Sequence, residues 1–218
     1  MKKFNVDNLI ESILNYFKKH LEIEEDQEAI LRYSMQVSIS FIANMAMALL
    51  VALILGIFPN VLFIMLTISI LRSFSGGGHS KTMFGCSIYG TIIMNILGMI
   101  TKYTYPTKDV LSVLILLTFM FSVWSLHKYA PADTPGKPIT TKVKRKKLKT
   151  LSFLSLFIWC TICVLWYTGL TNNFMLIYTS TLGILWQSFS LTDWGYALLH
   201  HMDRALKTIN RTEEETTL

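Results

Sequence analysis

Between Glu28 and Asp109 the chain carries no acidic residue at all. Most of that stretch is apolar, which argues against a water-soluble globule. A soluble domain usually carries about 25% charged residues; here the figure is 16%, against 52% hydrophobic, over 218 residues. The apolar runs make lipid the expected solvent and exclude disorder and a coiled coil.

Six apolar segments follow one another: Met35–Phe58, Asn60–Leu71, Phe84–Ile100, Val110–Leu126, Leu151–Leu170 and Phe174–Leu191. A spanning helix needs about 20 residues. The second segment falls short unless it reaches from Pro59 to Phe74, with Arg72 snorkelling to the interface; otherwise it is re-entrant. The expected fold is an all-α polytopic membrane bundle of about six segments.

The basic residues set its orientation. With six spans and both termini inside, 18 of the 20 Lys and Arg residues fall on the inner side, eight of them in 127–150. Only Lys102 and Lys108 fall outside. That asymmetry places both termini and the 127–150 loop in the cytoplasm. A four-span version, with segments two and three re-entrant from outside, keeps the basic loop inside but moves Arg72, His79, Lys81 and Cys86 outward. Charge counting separates the two poorly. The net charge of +6 is thus a topology signal, and with no RNA or DNA motif a nucleic acid is not an expected partner.

Before the first segment, Val6, Leu9, Ile10, Ile13, Leu14, Phe17 and Leu21 recur at helical spacing. This predicts an amphipathic helix on the membrane surface, the alternative being a small helix packed on loops. Residues 1–21 are too polar for a cleavable signal peptide. Residues 22–28 read as an acidic, solvated stretch. The 127–150 loop holds three of the five prolines, and its lysine run is placed to touch anionic headgroups. The tail over 207–218 reads as frayed.

The chemistry is concentrated in Arg72-Ser-Phe-Ser-Gly-Gly-Gly-His79-Ser-Lys-Thr-Met-Phe-Gly-Cys86. Three consecutive glycines stop a helix and allow a turn or a close approach. A Cys and a His suggest nucleophilic catalysis, the thiolate attacking a carbonyl while the imidazole handles the proton. Seven residues apart on one straight helix, the two would stand about 10.5 Å apart along the axis. A hydrogen bond needs about 3 Å. The pair works only if the glycines break the helix, leaving His79 on a loop and Cys86 in the next helix's first turn. There the helix terminus favours the thiolate. Asn95 and Asp193 are candidate side chains for orienting His79. Cys160-x-x-Cys163, inside an apolar segment without further ligands, reads as core packing. His200-His201 with Asp203 reads as a solvated helix end rather than a metal site.

The pattern Arg72-x-x-x-Gly76-Gly77-x-His79, with Cys86 seven residues on, resembles the accessory gene regulator B (AgrB) family. So does Lys128-Tyr-Ala-Pro131-Ala-Asp133-Thr-Pro-Gly-Lys137-Pro138-Ile, and the resemblance extends over roughly residues 5–195. It implies a multi-pass membrane cysteine endopeptidase of Gram-positive bacteria, needing no cofactor and acting as a homodimer. The implied substrate is an AgrD-like quorum-sensing pro-peptide, cut at its C-terminal side and closed to a thiolactone or lactone ring. Carried over residue by residue, Cys86 matches the nucleophile and His79 the base. Arg72, Gly76 and Gly77 match the surrounding motif, with Lys81 and Lys137 as further supporting positions. The chain then divides into an interfacial region (1–34), a membrane-embedded peptidase domain (35–200) and a polar tail (201–218). The competing expectation is a non-enzymatic transporter or scaffold subunit for peptide export, with the glycines as a hinge.

Overall fold

The computed structural model describes residues 6–21, 25–77, 83–133, 139–170 and 173–216; for 6–9, 25, 26, 37, 83, 84, 86 and 205–216 it describes the backbone alone. The regular structure of these residues is helical throughout, as the composition requires. The order is α1 (Val6–His20), α2 (Glu25–Ile54), α3 (Phe58–Ser75), α4 (Met83–Tyr103), α5 (Lys108–Tyr129), α6 (Lys142–Tyr167), α7 (Phe174–Ser190) and α8 (Asp193–Thr216).

Among the described residues four helices are long and apolar enough to cross a bilayer: Gln27–Ile54, α3, α5 and α6. A fifth crossing is counted if α7 and α8, bent by 83° at their junction, form one broken span. The expected six is not reached on that count. α4 runs for 21 residues with no carboxylate, about 31 Å at 1.5 Å per residue and so enough for a hydrocarbon core. The short second segment does lengthen: α3 starts beside Pro59, where a missing N–H costs nothing, and takes in Arg72 in its last turn.

Three boundaries differ from the sequence reading. The acidic stretch is helical from Glu25, where α2 begins, with Glu28 paired to Lys18 of α1 and to Arg32. The lysine run of the presumed loop is the start of α6, capped by the Thr141 hydroxyl, which accepts from the Lys144 N–H. The tail continues as α8 to Thr216. In each case a helix runs past the apolar segment that signals it. α1 packs against α2, with Ile10 and Leu14 buried.

Two apolar cores lie side by side. Ala48, Ala52, Val61, Ile64, Ile68 and Met94 join α2, α3 and α4. Leu126, Leu156, Trp159, Cys163, Ile177 and Ile184 join α5, α6 and α7. α3 packs against α7 across the two. Small and hydroxylated side chains let the helices approach, as is usual in lipid: the Ser188 hydroxyl donates to Ser122 at 2.7 Å, and Ser125 to the Ser188 carbonyl at 2.7 Å. The apolar flanks of α5 and α6, such as Leu116, Leu117, Phe157 and Ile158, stay exposed, as a lipid-facing surface should.

The two ends of the bundle are chemically different. At one, Lys102 donates to the Gly56 carbonyl and Lys108 to the Tyr167 carbonyl, both at 2.9 Å. The two cations that the sequence places outside thus cap the carbonyl ends of α2 and α6, where the helix dipole favours positive charge. At the other end the Lys149 ammonium donates to the His127 carbonyl at 2.6 Å, and the Ala132 N–H donates to the Ser75 carbonyl at 2.8 Å. The end of α3, with Arg72, therefore shares a face of the bundle with the basic segment. That contact contradicts the four-span version, which puts them on opposite sides.

Candidate active site at the glycine break

α3 stops at Ser75 because the next residue takes a conformation closed to other side chains. Gly76 has φ 72° and ψ −153°, a region essentially confined to glycine. A Cβ there would also stand 2.4 Å from the Ala132 carbonyl oxygen. Gly77 follows with φ 149°, and the Arg72 guanidinium lies over it, Nη1 only 3.0 Å from where a Cβ would be. Gly76 is thus required both by its φ and by the backbone of the Ala130–Asp133 segment, and Gly77 by its φ, with the Arg72 side chain able to give by a few tenths of an ångström.

The docked segment is itself tied down. The Asp133 carboxylate accepts the Ile139 N–H at 2.8 Å and pairs with Arg145 on α6. From the opposite side comes Gln187 of α7, fully buried. Its amide nitrogen donates to the Ser75 hydroxyl at 3.1 Å and to the Gly76 carbonyl at 2.9 Å. Tyr129 donates to the Asp193 carboxylate at 2.9 Å at the corner between α7 and α8. The C-terminal end of α3, the N-terminal end of α6 and the α7–α8 corner thus converge beyond the last turn of α3.

Of the expected catalytic pair, His79 lies outside the described residues, as do Lys81 and Lys137. Cys86 is the fourth residue of α4, and only its backbone is described. Residues 72–86 are not a single rod: α3 ends at Ser75 and α4 begins at Met83, so the break on which the Cys–His reading depends is present. Asn95 is not at this end. It sits about 13 Å further along the α4 axis, donating to the carbonyls of Ala48 at 3.2 Å and Thr91 at 2.8 Å. Asp193 is at this end but is engaged by Tyr129.

The other cysteines stand apart from the break: Cys160 is half-buried, and Cys163 is buried in the α5–α7 core, both as free thiols. Among the described residues no group of three His, Cys, Asp or Glu side chains comes together. On α6, Lys142, Lys144, Lys146 and Lys147 are exposed and stand beside Arg145 at the same end as the break.

Sequence reasoning missed Gln187 and Ser75. The signal for Gln187 was an amide inside an otherwise apolar segment, a group that lipid excludes unless both its ends find partners.

The family model described as Accessory gene regulator B matches residues 10–191. An AgrB-like protein of Clostridium perfringens (strain SM101 / Type A) is 29% identical over 208 residues, covering 91% of this chain and 96% of the relative. A second AgrB-like protein, of C. perfringens (strain 13 / Type A), is 27% identical over 206 residues with the same coverage. An accessory gene regulator protein B of Staphylococcus aureus (strain Newman) is 30% identical over 154 residues, 70% of this chain and 79% of the relative. No solved structure matches.

Proposed function

This chain belongs to the accessory gene regulator B family, and from that premise we propose that it is a membrane-embedded cysteine endopeptidase that matures an AgrD-like quorum-sensing pro-peptide. The observation that carries the reading is that α3 ends at Ser75, with Gly76 and Gly77 outside any helix, before α4 begins at Met83.

In this reading Cys86 gives its proton to His79 and attacks the scissile carbonyl. His79 then protonates the leaving amine, and the acidic C-terminal fragment departs. The N-terminal part remains as a thioester on Cys86. A thiol within that same part attacks the thioester carbonyl, closes a thiolactone and returns the Cys86 thiol; a hydroxyl there would close a lactone. Thioester exchange keeps most of the acyl group's free energy, whereas water would discharge it, so a site at the membrane edge with little water favours the ring.

The basic end of the bundle is assigned to the cytoplasm by the positive-inside rule, the side on which a ribosomal product is made. The exposed Lys142, Lys144, Lys146 and Lys147 then attract the acidic fragment. Replacing all four by Gln is expected to raise KM several-fold at low salt and to flatten its salt dependence. An unchanged salt profile at equal protein level removes that role. For the reaction itself, vesicles holding the protein are given a candidate pro-peptide and the products are separated by mass. Cleavage and ring closure by the native chain, both lost in His79→Ala, is the expected result. Cleavage that continues undiminished in His79→Ala refutes the assignment of the base.

A further inference from the structure

We propose that Gln187 is a positioning residue for the reaction, fixing the backbone at Ser75 and Gly76, where the chain leaves α3 ahead of the motif's His79 and Cys86; this rests on the catalytic reading above. The bond to the Gly76 carbonyl is the key contact. Gly76 is the first residue past the helix, and among the described residues its carbonyl accepts from the Ser75 hydroxyl at 3.3 Å and from Gln187. The Gln187 amide meets it at 2.9 Å and the Ser75 hydroxyl at 3.1 Å, gripping the last helical residue and the first non-helical one together. The Ser190 hydroxyl, which donates to the Gln187 main-chain carbonyl at 2.8 Å, also lies 3.4 Å from the amide oxygen. The Ala132 backbone packs against Gly76 as well. The Gly76 carbonyl and the end of α3 are thus held from α7 at the point where the chain leaves the helix.

The argument for positioning rather than mere stability is one of location. α7 makes other buried hydrogen bonds, such as Ser188 to Ser122 at 2.7 Å, and these hold helix to helix. The Gln187 amide, by contrast, bonds to the break itself. A misplacement of about 1 Å near reacting groups can cost roughly 100-fold in rate, while substrate binding elsewhere on the protein is untouched.

The test compares Gln187→Leu with Ser188→Ala in reconstituted vesicles, with active sites counted by stoichiometric alkylation of Cys86. Gln187→Leu is expected to lower kcat roughly 10- to 100-fold with KM within about twofold of the native value, and Gln187→Asn to stay low because its amide falls short of Gly76. Ser188→Ala, which loses a buried bond away from the break, is expected to keep the native kcat. Equal losses in the two variants, or a native kcat in Gln187→Leu, overturn the proposal. Cys86→Ala is assayed alongside. Cleavage surviving there sinks the parent reading, whereas cleavage lost there but unchanged in Gln187→Leu sinks only the positioning role.

Discussion

Gly76→Ala is expected to abolish processing while the protein still inserts in the membrane. Two independent effects act together. A side chain at φ 72° and ψ −153° is strained by about 1–3 kcal/mol. Its Cβ also meets the backbone oxygen of Ala132 at 2.4 Å, and backbone cannot swing aside as a flexible side chain does. Either α3 loses its terminal geometry or the Ala130–Asp133 segment lifts away, taking the Ala132–Ser75 bond with it. A loss of 100-fold or more in rate is the rough expectation. Gly169 provides the control. It too has positive φ, at 84°, but nothing lies within 4 Å of its Cβ position, and it belongs to the opposite end of the bundle. Gly169→Ala should cost about 1 kcal/mol of stability and leave processing nearly intact. Similar activity in the two variants would mean that the close approach of the 130–133 segment is irrelevant to the site.

Cys86→Ala is expected to remove cleavage and cyclisation together, because both steps pass through the same thioester. Loss on the order of 10⁴-fold or more is usual when a nucleophile is deleted. Cys86→Ser retains at most a trace, since a serine hydroxyl is a far weaker nucleophile at neutral pH. The combined Cys160→Ala and Cys163→Ala variant should process normally, its thiols being in the apolar part of α6. Cleavage that persists in Cys86→Ala would transfer the chemistry elsewhere and leave the break as a hinge.

Much of this architecture was legible in the amino-acid order because lipid is an exacting solvent. Apolar runs marked the spans, Lys and Arg marked one end, and three glycines marked where a helix must stop. Helix ends were not legible in the same way. α6 begins inside a run of lysines because Thr141 caps it and Asp133 draws Arg145 back, contacts invisible in hydropathy. α2 begins among acidic residues, of which Glu28 pairs with Lys18 of α1, while Arg32 of α2 reaches Glu11 of α1. The partners of the break were hidden for a different reason. Gln187 stands 111 residues from Gly76, and no local pattern joins positions so far apart. What the sequence does carry is the anomaly of one amide in an apolar helix, whose need for partners points to a contact without naming it. The third glycine, Gly78, and the two reacting side chains lie outside the described residues, so their assignment rests on motif and family.

The central claim is an acyl group carried by one particular sulfur. Vesicles containing the protein are given a pro-peptide whose ring-closing thiol has been replaced by a methyl group, so that the second step has no nucleophile, and the intact protein is weighed by mass spectrometry. The account predicts a mass increase equal to the peptide's N-terminal portion, released by hydroxylamine and mapped by fragmentation to Cys86. Cleaved peptide with no adduct, or an adduct on Cys160 or Cys163, would contradict it.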